Sequence, residues 1–427
     1  CSAFGGGPPY AFQTYEATRD REPYLAAQRL AAQNALLPDD STFALAPILV
    51  GPAEKREPDP NATIPTELLH AIGWIESRLN QAAINVPYES TGAVLLSSSC
   101  AYGLMQVASF FSNGADLPSR AESLAGTHYA YNVAAGAQIL VDKWNLEFFP
   151  VVGASDPRAV EAWYYATWAY NGWSLVNHPA GAEVDPFRRL PYACDGPFNG
   201  YAYQELVLGC VVNPPTVDGV QLWSALPLQL PNLAALAVAG GPLNPEAFLD
   251  GWSTVFSAPF TGEEVSRPFA AMDMPLPDAA AMVPQASLET TAVAAERARI
   301  FGPPSLALDQ TVFELKVTDD GVETAVITIR NTGQGLLVYR LAPDQDWLQL
   351  DVAAGIAVGS DFPVRDGKPR SATVRVQPLA DGLPEGLHQG TIIVEALLPD
   401  GSVESQTVLV VVDKRGVPRY EAGTPRS

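Results

Sequence analysis

The chain has 427 residues, and its 25 lysines and arginines against 47 aspartates and glutamates give a net charge of −22. A chain this acidic repels a phosphate backbone, which argues against nucleic acid as a partner. Hydrophobic residues make up 47% of the chain and charged residues only 17%, so wholesale disorder is excluded. The length predicts two or three domains, and the 34 glycines and 38 prolines predict long loops or a linker between them. Apolar stretches such as 43–51 are far shorter than the ~20 residues that a membrane-spanning helix needs.

The four cysteines are Cys1, Cys100, Cys194 and Cys210. A chain that opens with Cys-Ser-Ala resembles a mature bacterial lipoprotein, whose lipid would sit on Cys1 and anchor the protein to a membrane. The alternative is a chance boundary of the sequence. We expect an extracytoplasmic bacterial protein, either lipid-anchored at the cell surface or secreted. Export permits disulfides, and the three other cysteines allow three pairings, of which Cys194 with Cys210 is favoured by proximity in sequence.

The residue pattern changes four times along the chain and predicts five segments. They are an N-terminal tether and helix (1–60), a helical, aromatic-rich domain (61–225), a Pro/Ala-rich linker (226–305), a β-rich domain (306–413) and a C-terminal tail (414–427). In the linker, 258–285 is expected to be stiff and extended, and 289–300 is expected to form one isolated helix.

Apolar residues at spacings of 4, 3 and 4 predict a helix that begins near Pro65. These residues are Leu68, Ile72, Ile75 and Leu79. Further helices are expected from Asn132 onward and from 155–157 to Tyr170. The second segment therefore predicts a mainly α domain.

From Pro304 the apolar period changes to two, and turn dipeptides separate short β-branched runs. Six or seven short strands in about 110 residues predict an antiparallel, Ig-like β-sandwich. The clearest predicted strands are 311–317, 323–330, 335–341, 372–376, 390–397 and 405–412.

Glu76 lies about 60° from the centre of the apolar stripe of its predicted helix. A carboxyl group at the margin of a buried stripe is partly desolvated, which raises its pKa. A general acid that cleaves a glycosidic bond needs a raised pKa. The alternative is a surface glutamate paired with Arg78 or His70.

Four short motifs follow one another in the second segment: Glu76-Ser77, Gly103–Gln106, Asn132 to Gly136, and Ala169–Asn171. Their order resembles the lytic transglycosylases of the soluble, goose-lysozyme-like (SLT) type over about residues 61–212. The resemblance implies a lysozyme-like domain that cleaves the β-1,4 bond between N-acetylmuramic acid and N-acetylglucosamine in peptidoglycan and leaves a 1,6-anhydro product. It implies that one glutamate acts as acid and then as base, without a cofactor or a metal. The four scattered histidines, which form no metal-ligand motif, agree with this.

The resemblance also implies roles for the candidate substrate-binding residues. Met105 and Gln106 would line the cleft beside the glycan. Tyr170 and Asn171 would place hydrogen bonds near the scissile sugar and the Glu76 carboxyl, and Ser77 would support the local geometry. The alternatives are that Met105 is a core residue and that Tyr170 and Asn171 only end a helix.

The interval from Glu76 to Gly103 is longer than in simple members of the family, and 85–99 looks like an inserted loop. Aromatic residues crowd positions 163–173, where we expect Trp163 and Trp168 to be core residues and Tyr170 to face the cleft.

The β-rich segment contains Asn331-Thr332-Gly333, an Asp-Trp-Leu run with Trp347, and a Gly-x-x-x-Gly-Thr run from Gly386. These features resemble BACON-like and related Ig-like modules of bacterial surface proteins, for some of which carbohydrate binding has been proposed. We expect Trp347 to be a core residue rather than a ligand contact.

The sequence thus predicts a multidomain protein in which a mainly α, lysozyme-like catalytic domain is joined by a Pro/Ala-rich linker to an all-β sandwich. The resemblance implies the function of a peptidoglycan lytic transglycosylase with Glu76 as its acid and base and glycan strands as its partner. One alternative is a cell-surface structural or glycan-binding protein with little turnover, acting in a surface protein assembly. Another is a hydrolase of the lysozyme type. We expect 61–225 to fold without 306–413.

Overall fold

The structure is a computed structural model, and it describes residues 9–109, 111, 117–230, 233, 241, 243–257, 267–284, 290–318, 321–381 and 383–415. Cys1, with its predicted lipid, lies outside the described residues, as does most of the predicted C-terminal tail.

Within these residues, α-helices occur mainly in the first half of the chain. They are α1 (Glu22–Ala32), α2 (Thr66–Ser77), α3 (Arg120–Thr127), α4 (Tyr129–Asn145), α5 (Tyr164–Tyr170), α6 (Tyr203–Val212), α7 (Pro245–Ser257) and α8 (Thr290–Phe301). Short 3₁₀ helices occupy Val160–Trp163, Leu175–Asn177 and Ala270–Met272.

Short strand pairs accompany the helices, and longer strands dominate the second half. The strands are β1 (Gln13–Glu16), β2 (Ile48–Val50), β3 (Glu57–Asp59), β4 (Ser90–Ala93), β5 (Thr216–Val217), β6 (Val220–Gln221), β7 (Leu306–Leu308), β8 (Val312–Thr318), β9 (Gly321–Val322), β10 (Ala325–Asn331), β11 (Leu336–Pro343), β12 (Leu348–Leu350), β13 (Ala354–Val358), β14 (Ala372–Pro378), β15 (Gly386–Leu397) and β16 (Val403–Lys414). The division into a helical region and a β-rich region confirms the predicted fold class.

From residue 9 onward the N-terminal segment is part of the helical domain, and the helix expected in it is present as α1. Helix α1 packs against α2 and α4 and buries Tyr24 and Leu30. The Gln28 side chain donates a hydrogen bond of 2.9 Å to the Leu69 carbonyl of α2. Strand β1 pairs antiparallel with β4, so part of the predicted inserted loop is a strand.

Helix α4 begins three residues before the predicted start at Asn132. The ring of His128 accepts the N–H of Ala130 at 3.1 Å and caps the first turn in place of the Ser, Thr, Asp or Asn that usually marks a helix start. Asn132 is therefore an interior position of the helix and is completely buried. The helix predicted up to Tyr170 is a 3₁₀ turn followed by α5.

The predicted linker is not a free spacer, because its described parts lie against the helical domain. The buried carboxyl of Glu161 accepts backbone N–H groups from Gln229 and Ala281 at 3.0–3.1 Å. The carbonyl of Met274 accepts the N–H of Gly153 at 2.7 Å. Helix α8, expected to stand alone, contacts α1, and its last residue, Phe301, packs against the ring of His128.

The C-terminal domain contains two sheets, with strand orders β12-β14-β10-β7 and β13-β11-β15-β16-β8-β9. All six predicted strands are present. In β14 buried and exposed residues alternate, as expected for a strand with one face on a core. One expectation was wrong: β8 runs parallel to β16, so the domain is not purely antiparallel. Trp347 is half-buried and packs at the edge of the sandwich core.

The β-sandwich shares buried surface with the helical domain. The N–H of Ala353 donates a hydrogen bond of 2.9 Å to the carbonyl of Ala11, and Phe12 forms an isolated parallel β-bridge with Ala354. Tyr15 packs edge-on against Phe362 with ring centroids 5.6 Å apart. Residues of β11 and β13 belong to the same hydrophobic cluster as α2 and α4. These contacts argue against the expected folding of 61–225 on its own.

Cys194 and Cys210 form a disulfide, which confirms the favoured pairing. The bond ties the chain before α6 to the last turn of that helix. Cys100 is also disulfide-bonded. Among the described residues, none of the helices combines the length and hydropathy needed to cross a membrane.

Candidate active site

Glu76 lies in the last turn of α2. The helix forms because Leu68, Leu69 and Ile72 are completely buried on one face. It ends at Arg78, which takes the left-handed conformation (φ 57°, ψ 34°) and donates its N–H to backbone carbonyls of the last turn. The Glu76 side chain is half-buried at this end of the helix.

The Glu76 carboxyl has two neutral hydrogen-bonding partners. The hydroxyl of Tyr203 donates to Oε1 at 2.5 Å, and the side chain of Asn171 forms a second hydrogen bond. Burial raises the pKa of Glu76 to about 7, because it penalises the charged form more than the two hydrogen bonds stabilise it. Such a group exchanges a proton near neutrality, as an acid that later becomes a base must.

The alternative pairing of Glu76 with Arg78 or His70 is not observed. The guanidinium of Arg78 donates to the carbonyl of Cys194 at 3.3 Å and lies over the rings of Trp74 and Phe198. His70 is buried, and its Nε2 lies 3.3 Å from the carbonyl of Leu25. Neither side chain neutralises the Glu76 carboxyl.

Ser77 ties the end of α2 to the loop 103–106. Its hydroxyl lies 2.7 Å from the carbonyl of Leu104 and 3.0 Å from that of Gly73, so its one proton is donated to one of them. It also accepts the N–H of Asn80 at 3.1 Å. Ser77 is 8% exposed, and these hydrogen bonds hold the end of α2 against the loop.

The loop 103–106 is held by Asn132 of α4. Asn132 accepts the N–H of Met105 at 2.8 Å and donates to the carbonyls of Tyr102 and Ala125 at 3.0 Å. Gly103 has φ 69°, and a Cβ there would lie 2.7 Å from the Asn132 amide. This position therefore requires glycine for both its backbone angle and its space.

Met105 does not line the cleft with its side chain, contrary to expectation. Met105 is 0% exposed, and a Cβ added at Gly136 of α4 would lie only 2.6 Å from the Cβ of Met105. The side chain fills the space that the glycine leaves between the loop and α4. The carbonyl of Met105 instead accepts the hydroxyl of Tyr170 at 2.7 Å.

Gln106, Tyr170 and Asn171 are the remaining candidate residues. Gln106 is half-buried, has φ 48° and donates its side-chain amide to the carbonyl of Gly103 at 2.8 Å. Tyr170 is half-buried at the end of α5, whereas Trp163 and Trp168 are completely buried, as expected. Asn171 follows Tyr170, is exposed, and reaches the Glu76 carboxyl. Hydrogen bonds thus link the four motifs to one another, and Asn171 of the last motif reaches the Glu76 carboxyl.

No group of three or more His, Cys, Asp or Glu side chains in the described part of the chain is arranged to hold a metal ion. A cavity of about 600 Å³ lies elsewhere, between the end of α1, the β2–β3 pair and the start of α8. Its lining, which includes Leu45, Ile48 and Arg297, contains none of the residues around Glu76.

Residues 56–174 match the family model described as the transglycosylase SLT domain. This part of the chain is therefore similar to the SLT domain, which supports the lytic transglycosylase family. The match includes all four motifs, and it supports a peptidoglycan-directed function of the lytic transglycosylase type. No curated protein matches the chain significantly.

The chain is also similar to solved structures at low identity. The YadV chaperone is 13% identical with a TM-score of 0.21, and the match covers 28% of this chain and 55% of that one. The E. coli chaperone DraB is 14% identical with a TM-score of 0.21, and the match covers 28% of this chain and 61% of that one. The ASH / PapD-like domain of human CEP192 is 8% identical with a TM-score of 0.22, and the match covers 26% of this chain and 86% of that one. The chain thus spans less than two thirds of the two chaperones, and likeness at this level supports no conclusion about its function.

Two residues of the site lie beyond the matched part of the SLT domain. Tyr203 lies in a Tyr-Ala-Tyr run near the end of the domain, and the sequence alone assigns it no role. Asn177 was not singled out, although it contacts Asn171 and the backbone of Tyr203. The one sequence signal for Tyr203 is its place at the start of an apolar helix. Asn177 has no sequence signal, because its role depends on a turn that only the fold defines.

Proposed function

We propose that this protein cleaves the β-1,4 bond between N-acetylmuramic acid and N-acetylglucosamine in peptidoglycan and leaves a 1,6-anhydro end, with Glu76 as the single acid and base. The observation that carries the proposal is the Glu76 carboxyl, whose pKa is raised to about 7 by burial and which is held by two neutral donors. Neither of these two partners is a carboxylate, which suits a mechanism with one glutamate.

In the first step the protonated Glu76 carboxyl gives its proton to the glycosidic oxygen while the bond from that oxygen to the anomeric carbon breaks. The oxygen of the substrate's own N-acetyl group bonds to the anomeric carbon and takes up the positive charge. Hydrogen bonds from Tyr203 and Asn171 stabilise the carboxylate that remains.

In the second step the Glu76 carboxylate takes the proton of the muramic acid 6-hydroxyl. The hydroxyl oxygen bonds to the anomeric carbon, and the bond to the N-acetyl oxygen breaks. Glu76 is protonated again, so no proton is gained or lost over the cycle and no water is consumed. A pKa near neutrality suits both steps, because neither protonation state is strongly disfavoured.

The test is digestion of purified peptidoglycan followed by mass spectrometry of the released fragments. Anhydro ends support the proposal, reducing ends would indicate a lysozyme-type hydrolase, and no release would indicate a glycan-binding or structural protein. Glu76→Gln keeps the size of the side chain but removes the proton, so release should fall at least about 100-fold. Activity of this variant near that of the unaltered chain would overturn the proposal.

Attachment to a membrane through a lipid on Cys1 remains a prediction from the sequence, as does export. Mass spectrometry of the N-terminal peptide without reduction tests it. An acylated peptide would support the anchor. A peptide released only by reduction would overturn it, because a thioether-linked lipid occupies the sulfur that a disulfide needs.

A further inference from the structure

Asn177 lies between the two residues that hydrogen-bond Glu76. Its Nδ2 donates to Oδ1 of Asn171 at 3.2 Å, and its Oδ1 accepts the backbone N–H of Tyr203 at 3.4 Å. We propose that Asn177 is a positioning residue of this site, which fixes the Asn171 side chain and the first residue of α6 and so aims both donors at the Glu76 carboxyl. The inference rests on the proposed function of Glu76.

The hydrogen bond between the two asparagines determines which end of the Asn171 amide faces Glu76. An amide has one oxygen, which accepts, and one nitrogen, which donates, whereas a carboxylate can only accept. Because the Asn177 nitrogen donates to the Asn171 oxygen, the Asn171 nitrogen is left to donate to Glu76. Without this contact the amide could turn over and present its oxygen to the carboxylate.

On the other side, Asn177 anchors the start of α6. The first backbone N–H groups of a helix have no partner within the helix, and the N-cap residue Ala202 has no side chain that can accept one. Asn177 supplies the acceptor for Tyr203 across the fold. The side chain of Gln204 donates in return to the carbonyl of Asn177 at 2.8 Å. Tyr203 therefore begins the helix at a fixed place relative to Asn171.

The turn that carries Asn177 is itself rigidly supported. Asn177 is 7% exposed and ends the 3₁₀ turn Leu175–Asn177. The next residue, His178, is completely buried, with its ring centroid 5.6 Å from Trp168 and 5.4 Å from Phe248 of α7. A buried amide with donors and acceptors satisfied on several sides is well placed to hold other groups in position.

Two substitutions separate positioning from a general structural role. Asn177→Leu removes donor and acceptor at similar volume. Asn177→Asp keeps the shape, but the new carboxylate can only accept, so the Asn171 amide should turn its nitrogen toward it and its oxygen toward Glu76. Val176→Ala, on the same turn and 62% exposed in the parent chain, is the matched control. Each variant is compared by circular dichroism and thermal unfolding, by kcat and KM for glycan release, and by carbon-NMR titration of Glu76, assigned by its loss in Glu76→Gln.

For Asn177→Leu we expect kcat to fall about 10-fold with KM changed less than about 2-fold, and the titration midpoint of Glu76 to rise by about one pH unit. For Asn177→Asp we expect a larger rise in the titration midpoint of Glu76, and for Val176→Ala we expect no change in the midpoint, kcat or KM. A Glu76 midpoint that stays in place in either folded Asn177 variant would overturn the inference. The midpoint does not require turnover, so this failure is distinct from that of the proposed function, which depends on the activity of Glu76→Gln.

Discussion

The hydroxyl of Tyr203 donates a hydrogen bond of 2.5 Å to Oε1 of Glu76 across 127 residues of sequence. The phenol stabilises the charged form of the carboxyl and thereby opposes the rise in pKa that burial causes. Burial, with a smaller contribution from Glu76, raises the pKa of Tyr203 well above its ordinary value, so the phenol stays protonated and remains a donor. Burial and the hydrogen bond from Tyr203 therefore act in opposite directions on the proton affinity of the proposed acid.

Replacing Tyr203 with phenylalanine should raise the pKa of Glu76, because a donor to the carboxylate is lost. We expect the alkaline limb of kcat/KM to move up by about half to one pH unit and kcat to fall about 10-fold, since the carboxyl loses its orientation. The pH profile of glycan release measures both. Tyr201→Phe is the control, because its hydroxyl donates to the carbonyl of Arg189 at the surface. Equal profiles for the two variants would refute the role of Tyr203.

The contacts around Glu76 show what the sequence could and could not predict. Glu76 and the loop 103–106 were found because short motifs in a fixed order resemble a known family. The prediction for Met105 was wrong because a motif identifies a residue but does not show which way its side chain points. The side chain of Met105 packs into the core, in the space that Gly136 leaves free. Tyr203 and Asn177 depend on contacts between distant segments, which no local pattern encodes.

The same distinction holds for the fold. Periodicity predicted α2 and the strands of the sandwich, because each buries one face and repeats at its own period. It missed the parallel pairing of β8 with β16, which depends on the order of strands in the sheet. It also assigned α8 and the chain around Met274 to a free linker, because the Pro- and Ala-rich composition gives no sign of the surface to which these residues bind.

Glu76→Gln should stabilise the protein above pH 7 while it removes activity. Burial raises the pKa of Glu76 from 4.5 to about 7, so the folded protein binds this proton more tightly than the unfolded chain. The stability contributed is fully present below about 4.5 and is lost as the pH rises through about 7. Glutamine carries no charge and avoids that loss. We expect the free energy of unfolding to rise by about 1–3 kcal/mol at pH 8 and little at pH 4.5.

Denaturant unfolding at the two pH values measures this effect, with the exposed Glu183→Gln as control. A gain of the same size at both pH values would mean that packing, rather than the ionisation of Glu76, is responsible. A loss of stability at pH 8 would contradict the raised pKa itself.

Arg21 and Glu16 form a buried ion pair with an N–O distance of 2.5 Å. Glu16 also accepts the N–H groups of Gln81 and Ala82 at 3.0 and 2.7 Å, so the pair braces the chain that follows α2. Arg21→Met leaves a buried carboxylate without its counter-charge, and we expect a loss of about 3–5 kcal/mol in the free energy of unfolding. Adding Glu16→Gln should recover part of that loss. A double variant as unstable as the sum of both single variants would show that the two side chains act independently.

Residues 61–225 should fail to fold alone, although the sequence suggested that they would succeed. This fragment lacks α1, whose Tyr24 and Leu30 are buried against α2 and α4, and it lacks the sandwich, whose β11 and β13 share their hydrophobic cluster. Exposing both faces at once favours aggregation. We would express 61–225, 9–230 and the full chain and compare their solubility, thermal unfolding and glycan release. Solubility should increase in that order, because α1 restores one face and the sandwich the other. A monomeric, cooperatively unfolding and active 61–225 would show that neither contact is needed and would restore the modular interpretation.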